Sequence, residues 1–130
     1  TLPKRKAICK FYNEALSKYN WAVLPTQQLA DIESSYHLYP LRIKNINEAQ
    51  RDLIIQKIFD ADVSVNVHFI PLPMLSYYKN LGYDINHYPN TYQNYASEIS
   101  LPVFFDITEA QLTSVINAVV NAVTEILKLD

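Results

Sequence analysis

Residues 63–70 read Val63-Ser64-Val65-Asn66-Val67-His68-Phe69-Ile70. In an extended chain Val63, Val65, Val67 and Phe69 point to one side, and Ser64, Asn66 and His68 to the other. That period-2 alternation is the pattern of a half-buried strand. Pro71 and Pro73 follow and stop it, because proline cannot donate to a ladder. This stretch is the clearest strand pattern in the chain, and with the shorter extended stretches elsewhere it puts strands among the helices.

Working outward, residues 74–81 read as a short helix closed by Gly82, the position after a helix where a left-handed residue is favoured. A Tyr/Asn/Pro loop over 83–90 and another short helix over 91–99 come next, then an extended piece from Ser100 to Phe104. The last helix opens on Thr108 with Gln111 three residues on, a capping box. Leu112, Val115, Ile116, Val119, Val123, Ile126 and Leu127 form its core stripe. Toward the N-terminus, Asn47 with Gln50 caps a helix running to about Asp60, with Leu53, Ile54, Ile58 and Phe59 facing inward. Residues 35–43 are aromatic and β-compatible, and Pro40 requires an edge or a bulge there. Residues 26–34 are polar and irregular, and 21–24 form a short strand ended by Pro25. Residues 3–20 form the first helix, with Ile8, Phe11, Tyr12, Ala15, Leu16 and Tyr19 on one face. The order predicts one α+β domain: a small, mostly antiparallel sheet of two to four short strands covered by helices.

Composition narrows the chemistry. The 130 residues include a single glycine, Gly82, where average usage (~7%) would give about nine. A phosphate-binding P-loop and a G-x-G-x-x-G turn each need several glycines so that the backbone can approach a phosphate, and neither can be built here. One cysteine, Cys9, excludes an internal disulfide and a cysteine-rich zinc site, and reads as a small buried apolar group. His37, His68 and His87 show no i, i+4 pair, which speaks against a metal site. A net charge of −2 gives no overall pull toward nucleic acid or a membrane surface, and Lys4, Arg5, Lys6 and Lys10 read as a solvated helix start. No uninterrupted apolar run has the ~20 residues of a membrane span, and no signal peptide is visible. The chain starts at Thr1, directly on a helix, as a fragment of something longer would.

Chemistry-bearing residues are dense only between 68 and 95, where seven aromatics, two histidines and three prolines occur with Lys79 as the one cation. An aromatic lining with a few polar groups suits a small-molecule pocket. A packed tyrosine loop with its hydroxyls in solvent fits the same composition. Single-stranded nucleic acid would require interleaved cations. His68 is the principal single candidate, either as a pocket residue or as a hydrogen-bonded brace of the turn. Tyr77 and Tyr78 are adjacent on a helix, so at most one can face a pocket.

Four segments resemble one family in order and spacing. Ser35-Tyr36-His37-Leu38-Tyr39-Pro40-Leu41-Arg42 resembles a recurring strand of the DegT-type sugar aminotransferases, pyridoxal-phosphate enzymes of nucleotide-sugar metabolism, and Arg51-Asp52-Leu53-Ile54 resembles the helix after it. The run from Asn66 to Pro73, followed by Tyr77 to Tyr83, resembles the family's His-aromatic-x-Pro-Leu turn and Tyr-x-x-x-Gly helix. Ile99-Ser100-Leu101-Pro102, then Thr108 and a long helix, resembles its closing segment. Pro73 stands where many members carry a second histidine, a version that resembles enzymes acting on UDP-linked 4-keto amino sugars.

The resemblance implies the C-terminal small domain of such an enzyme, like that of fold-type I aminotransferases, with residues 1–20 as the helix linking it to a large domain. The parent enzyme would be a cytoplasmic homodimer moving an amino group from glutamate to a nucleotide-linked keto-sugar. Pyridoxal phosphate, its Schiff-base lysine and its phosphate cradle would belong to the large domain, so no catalytic or cofactor-binding residue is expected in this chain, which would be inactive alone. His68, Phe69 and Tyr77 are the expected substrate-contacting residues. Two alternatives stand beside this reading. One is a dehydratase of the same family, with histidine in place of the Schiff-base lysine. The other is a self-sufficient binding or regulatory module with no large domain.

Overall fold

A computed structural model describes residues 1–130. Helix α1 (Leu2–Leu16) leads into strand β1 (Ala22–Val23), a small hairpin of β2 (Gln28–Leu29) and β3 (Ile32–Glu33), and strand β4 (Tyr39–Ile43). Helix α2 (Glu48–Asp60) follows, then a 3-10 turn at Leu72–Met74, helix α3 (Ser76–Asn80), a second 3-10 turn at Ile85–His87, helix α4 (Pro89–Ser97), strand β5 (Glu98–Leu101) and helix α5 (Glu109–Leu127). The main sheet has the order β1-β4-β5 and is antiparallel throughout. This is the α+β arrangement the sequence predicts.

The two faces of the sheet are unlike. Tyr39, Leu41 and Ile43 of β4 and Ile99 and Leu101 of β5 are buried on the face that carries the core, together with Ile8, Tyr12 and Leu16 of α1, Ile54 and Ile58 of α2 and Val119 and Val123 of α5. The alternate residues Pro40, Arg42, Glu98 and Ser100 take the opposite face, paired Pro40↔Ser100 and Arg42↔Glu98. Two tyrosine hydroxyls are satisfied at the core margin: Tyr12 donates to the Pro102 carbonyl at 2.8 Å, and Tyr39 donates to Asn13 Oδ1 at 2.7 Å. Cys9 is fully buried, which pushes its thiol pKa up.

The local signals are realised where they were read. Asn47 and Gln50 exchange side-chain and backbone hydrogen bonds as a capping box, and so do Thr108 and Gln111. Gly82 has φ +92°; its N–H bonds to the Lys79 carbonyl while that of Tyr83 bonds to Tyr78, which together close α3 as a Schellman motif. The 19-residue α5 has the length and apolar character of a membrane-spanning helix, and in the fold its stripe Leu112, Val115, Val119 and Val123 is buried in the core. Ile116, Ile126 and Leu127 pack at its margin.

Several expectations are corrected. Residues 63–70 form no strand. One bridge, Asn66↔Ser100, joins them to β5, after which Val67 N–H bonds to the Asn66 side chain and His68 N–H to the Glu98 carboxylate. Side chains thus replace the ladder, and the alternation fails at Phe69, which is 72% exposed. The first helix stops at Leu16 rather than 20, because the chain turns to bring Trp21 beside Lys44, whose N–H bonds to the Trp21 carbonyl. Residues 26–34, read as irregular, contain the β2–β3 hairpin. Leu53 and Phe59 are exposed: Arg51, Ile54 and Ile58 occupy the buried stripe of α2 instead. The fourth helix starts at Pro89 and β5 spans 98–101 rather than 100–104.

Pro40 lies in the central strand without a bulge. Lys44 N–H points toward β1, so by alternation the Pro40 nitrogen points to the same side, where β1 has already ended at Val23.

Candidate functional site

The sheet face opposite the core opens into a cleft of about 570 Å³, floored by Pro40, Arg42 and Glu98 and walled by His68, Phe69 and Pro71 on one side and by Thr91, Asn94 and Tyr95 of α4 on another. Its volume falls in the range of small-molecule pockets. The structure therefore brings His68 and Phe69 into one cleft. Tyr77 lies outside the lining at 68% exposure, while its neighbour Tyr78 lines an adjoining hollow of about 360 Å³ with Leu72, Pro73, Tyr83 and Tyr88. Thr91 borders both spaces.

Glu98 organises the cleft floor. It is 5% exposed, and its carboxylate accepts the Ser100 hydroxyl and, at 3.0 Å, the His68 N–H. Burial raises its pKa, and the Ser100 and His68 hydrogen bonds, with the His68 and Arg51 charges, pull part of the way back. Its register partner Arg42 does not pair with it. Arg42 Nη1 donates instead to Asn94 Oδ1 at 2.5 Å, tying β4 to α4 across the cleft mouth. His68 Nδ1 is buried and has no hydrogen-bond partner.

Behind this wall stands Arg51, 2% exposed. Its Nη1 donates to the carbonyls of Tyr95 at 2.7 Å and Glu98 at 3.5 Å, its Nε donates to Asp52 at 2.7 Å, and its guanidinium lies 4.8 Å from the Tyr95 ring centroid. Burial alone would lower its pKa; the hydrogen bonds to Asp52 and Tyr95 raise it overall. The Tyr92 and Tyr95 hydroxyls both donate to Glu48 at 2.9 Å, so α2 holds α4 by one buried cation and one carboxylate.

Hydropathy reading missed Arg42, Asn94 and Glu98. One signal for Glu98 exists: Glu98-Ile99-Ser100-Leu101 alternates with period 2, which puts Glu98 and Ser100 on the face of Arg42 once the β4 pairing is known. Nothing in the sequence marks Asn94.

The cleft lining contains no lysine to form an imine with an aldehyde cofactor, and the chain's one glycine lies outside it, so these residues do not fit pyridoxal phosphate as its primary holders. No group of three metal-ligating side chains assembles anywhere in the chain.

The fold is that of sugar aminotransferases. Spr1654 from Streptococcus pneumoniae, assigned as a sugar aminotransferase and solved in PMP and PLP forms, superposes on 98% of this chain in its PMP form with a TM-score of 0.94 and 32% sequence identity, using 32% of its own length. The family model described as DegT/DnrJ/EryC1/StrS aminotransferase matches residues 1–120, and the chain belongs to that family. Two curated relatives are an uncharacterised protein of Methanocaldococcus jannaschii, MJ1066, at 34% identity over 94% of this chain and 32% of its own, and the UDP-4-amino-4,6-dideoxy-N-acetyl-beta-L-altrosamine transaminase of Campylobacter jejuni, at 30% identity over 78% of this chain and 26% of its own. The chain thus spans about a third or less of the length of the relatives it matches.

Proposed function

We propose that this chain is the small C-terminal domain of a cytoplasmic pyridoxal-phosphate-dependent aminotransferase, a homodimer when complete. The enzyme moves an amino group from glutamate to a UDP-linked keto-sugar, and the chain alone is inactive. The observation that carries the reading is the likeness to Spr1654 across 98% of the chain with only 32% of the longer protein engaged. The substrate class is taken from the C. jejuni relative, whose name is that of a UDP-amino-sugar transaminase.

In this reading the cofactor supplies the electron sink and the amine carrier, held by residues outside this chain. What this chain contributes is one wall of the cleft. His68 and Phe69 face the sugar there, and Tyr77 stands beyond the rim. The remainder of the enzyme covers the open aromatic segment, since Phe69, Ile70, Leu72, Tyr77, Leu81 and Tyr83 are exposed together and a patch of that kind marks an interface. Helix α1 leads toward that remainder.

The test is the full-length protein. Supplied with pyridoxal phosphate, glutamate and a UDP-4-keto sugar, it should release 2-oxoglutarate in step with the aminated sugar. Loss of a sugar hydroxyl in place of amination, with histidine at the position of the Schiff-base lysine, would identify the dehydratase. A gene encoding no large domain would refute both enzymes.

A further inference from the structure

The segment that carries His68 and Phe69 is nearly free of backbone anchors. After the Asn66↔Ser100 bridge, the next inter-element contact of its main chain is the His68 N–H on the Glu98 carboxylate at 3.0 Å. Glu98 is in turn held from three directions. Its backbone sits in β5 opposite Arg42, its own carbonyl faces the buried Arg51 at 3.5 Å, and its carboxylate accepts the Ser100 hydroxyl. A buried carboxylate on a rigid strand thus bonds to a main-chain N–H in an irregular segment beside the cleft.

We propose that Glu98 is a positioning residue of the cleft, setting the height and angle of the His68–Phe69 turn over the sugar. This rests on the reading above, in which that turn contacts the sugar. A burial cost for a carboxylate is expected to be tolerated where the group holds a geometry that the backbone ladder does not supply. The assignment is one of reach rather than charge: the amide oxygen of glutamine can accept the same N–H, whereas aspartate keeps the charge and is shorter by one methylene.

The experiment compares wild-type, Glu98→Asp and Glu98→Gln forms of the full-length enzyme, with glutamate as donor, a UDP-4-keto sugar as the varied substrate and rates counted per cofactor-filled site. Glu98→Asp should raise KM for the sugar about tenfold, the scale of one lost hydrogen bond to a charged group, with the loss falling on KM rather than on kcat. Glu98→Gln should rescue most of that, to within about threefold of wild type. The reverse order, with Gln impaired and Asp near wild type, would assign Glu98 a charge or proton role and overturn the proposal. So would wild-type KM in both variants, or a loss of filled sites with KM unchanged in those that remain. A wild-type enzyme that fills with cofactor yet aminates no keto-sugar would overturn the underlying reading, a result distinguishable from all three.

Discussion

Replacing Arg51 tests how the cleft wall is held. Its buried Nη1 donates to the Tyr95 carbonyl at 2.7 Å, which also accepts the Glu98 N–H, and to the Glu98 carbonyl at 3.5 Å; removing the guanidinium strips the charged donor from the first and leaves the second without a side-chain partner. Losing such a donor from buried acceptors costs about 1–3 kcal/mol. Truncation to alanine adds a cavity beneath the Tyr95 ring, which lies 4.8 Å away, worth about 2 kcal/mol more. Arg51→Ala should therefore cost about 3–5 kcal/mol, a large share of the ~5–15 kcal/mol that keeps a domain folded.

Arg51→Leu is the more discriminating variant. A buried ion pair can often be replaced by packed apolar residues at no net cost. The acceptors here are two backbone carbonyls, which no second substitution can remove, so leucine should restore the packing and still cost about 1–3 kcal/mol. Trp21 is the chain's one tryptophan and is buried, so its fluorescence reports urea unfolding. At a slope of about 2 kcal/mol per M, the alanine midpoint should fall by about 2 M and the leucine midpoint by about 1 M. A leucine variant as stable as wild type would refute the reasoning, because it would mean that the charged donor adds nothing to what the Glu98 N–H already gives the Tyr95 carbonyl.

Two further outcomes follow. Burial raises the folded-state pKa of Glu98, so its contribution is most favourable below the ordinary glutamate value and is lost as pH rises through the raised value. Denaturation of wild type and Glu98→Gln across pH 4–8 should show glutamine gaining relative stability as pH rises, and a gain in the opposite direction would count against a raised pKa. At Gly82, φ is +92° and an added Cβ would meet nothing within 4 Å, so Gly82→Ala should cost only the backbone term of about 1–2 kcal/mol by thermal denaturation.

What could be read in advance divides by range. The two capping boxes and Gly82 are local arrangements, each complete within a few residues, and all three occur where the sequence puts them. The stripes of α1 and α5 are legible for the same reason. The stripe of α2 misleads because its first buried position is Arg51, and no hydropathy scale places an arginine in a core. What permits it is the pair of carbonyls at Tyr95 and Glu98, more than forty residues away. His68 and Phe69 stand out in the sequence as a turn worth noticing. Arg42, Asn94 and Glu98, which complete the cleft with them, come from two strands and a helix that only the folded chain juxtaposes.

The sequence by itself determined the order of the helices, the capped starts of α2 and α5, the class of fold and, through four ordered motifs, the family. Tertiary structure decided whether residues 63–70 would be a strand. Alternation makes a segment able to join a sheet, but joining requires a neighbouring edge with free N–H and C=O groups along its length. Strand β5 meets this segment in one bridge at Ser100, and beyond that point the Asn66 side chain takes the Val67 N–H and the buried carboxylate of Glu98 takes the His68 N–H. The clearest strand pattern in the chain thus became an irregular wall, and its departure from the ladder holds His68 and Phe69 over the cleft.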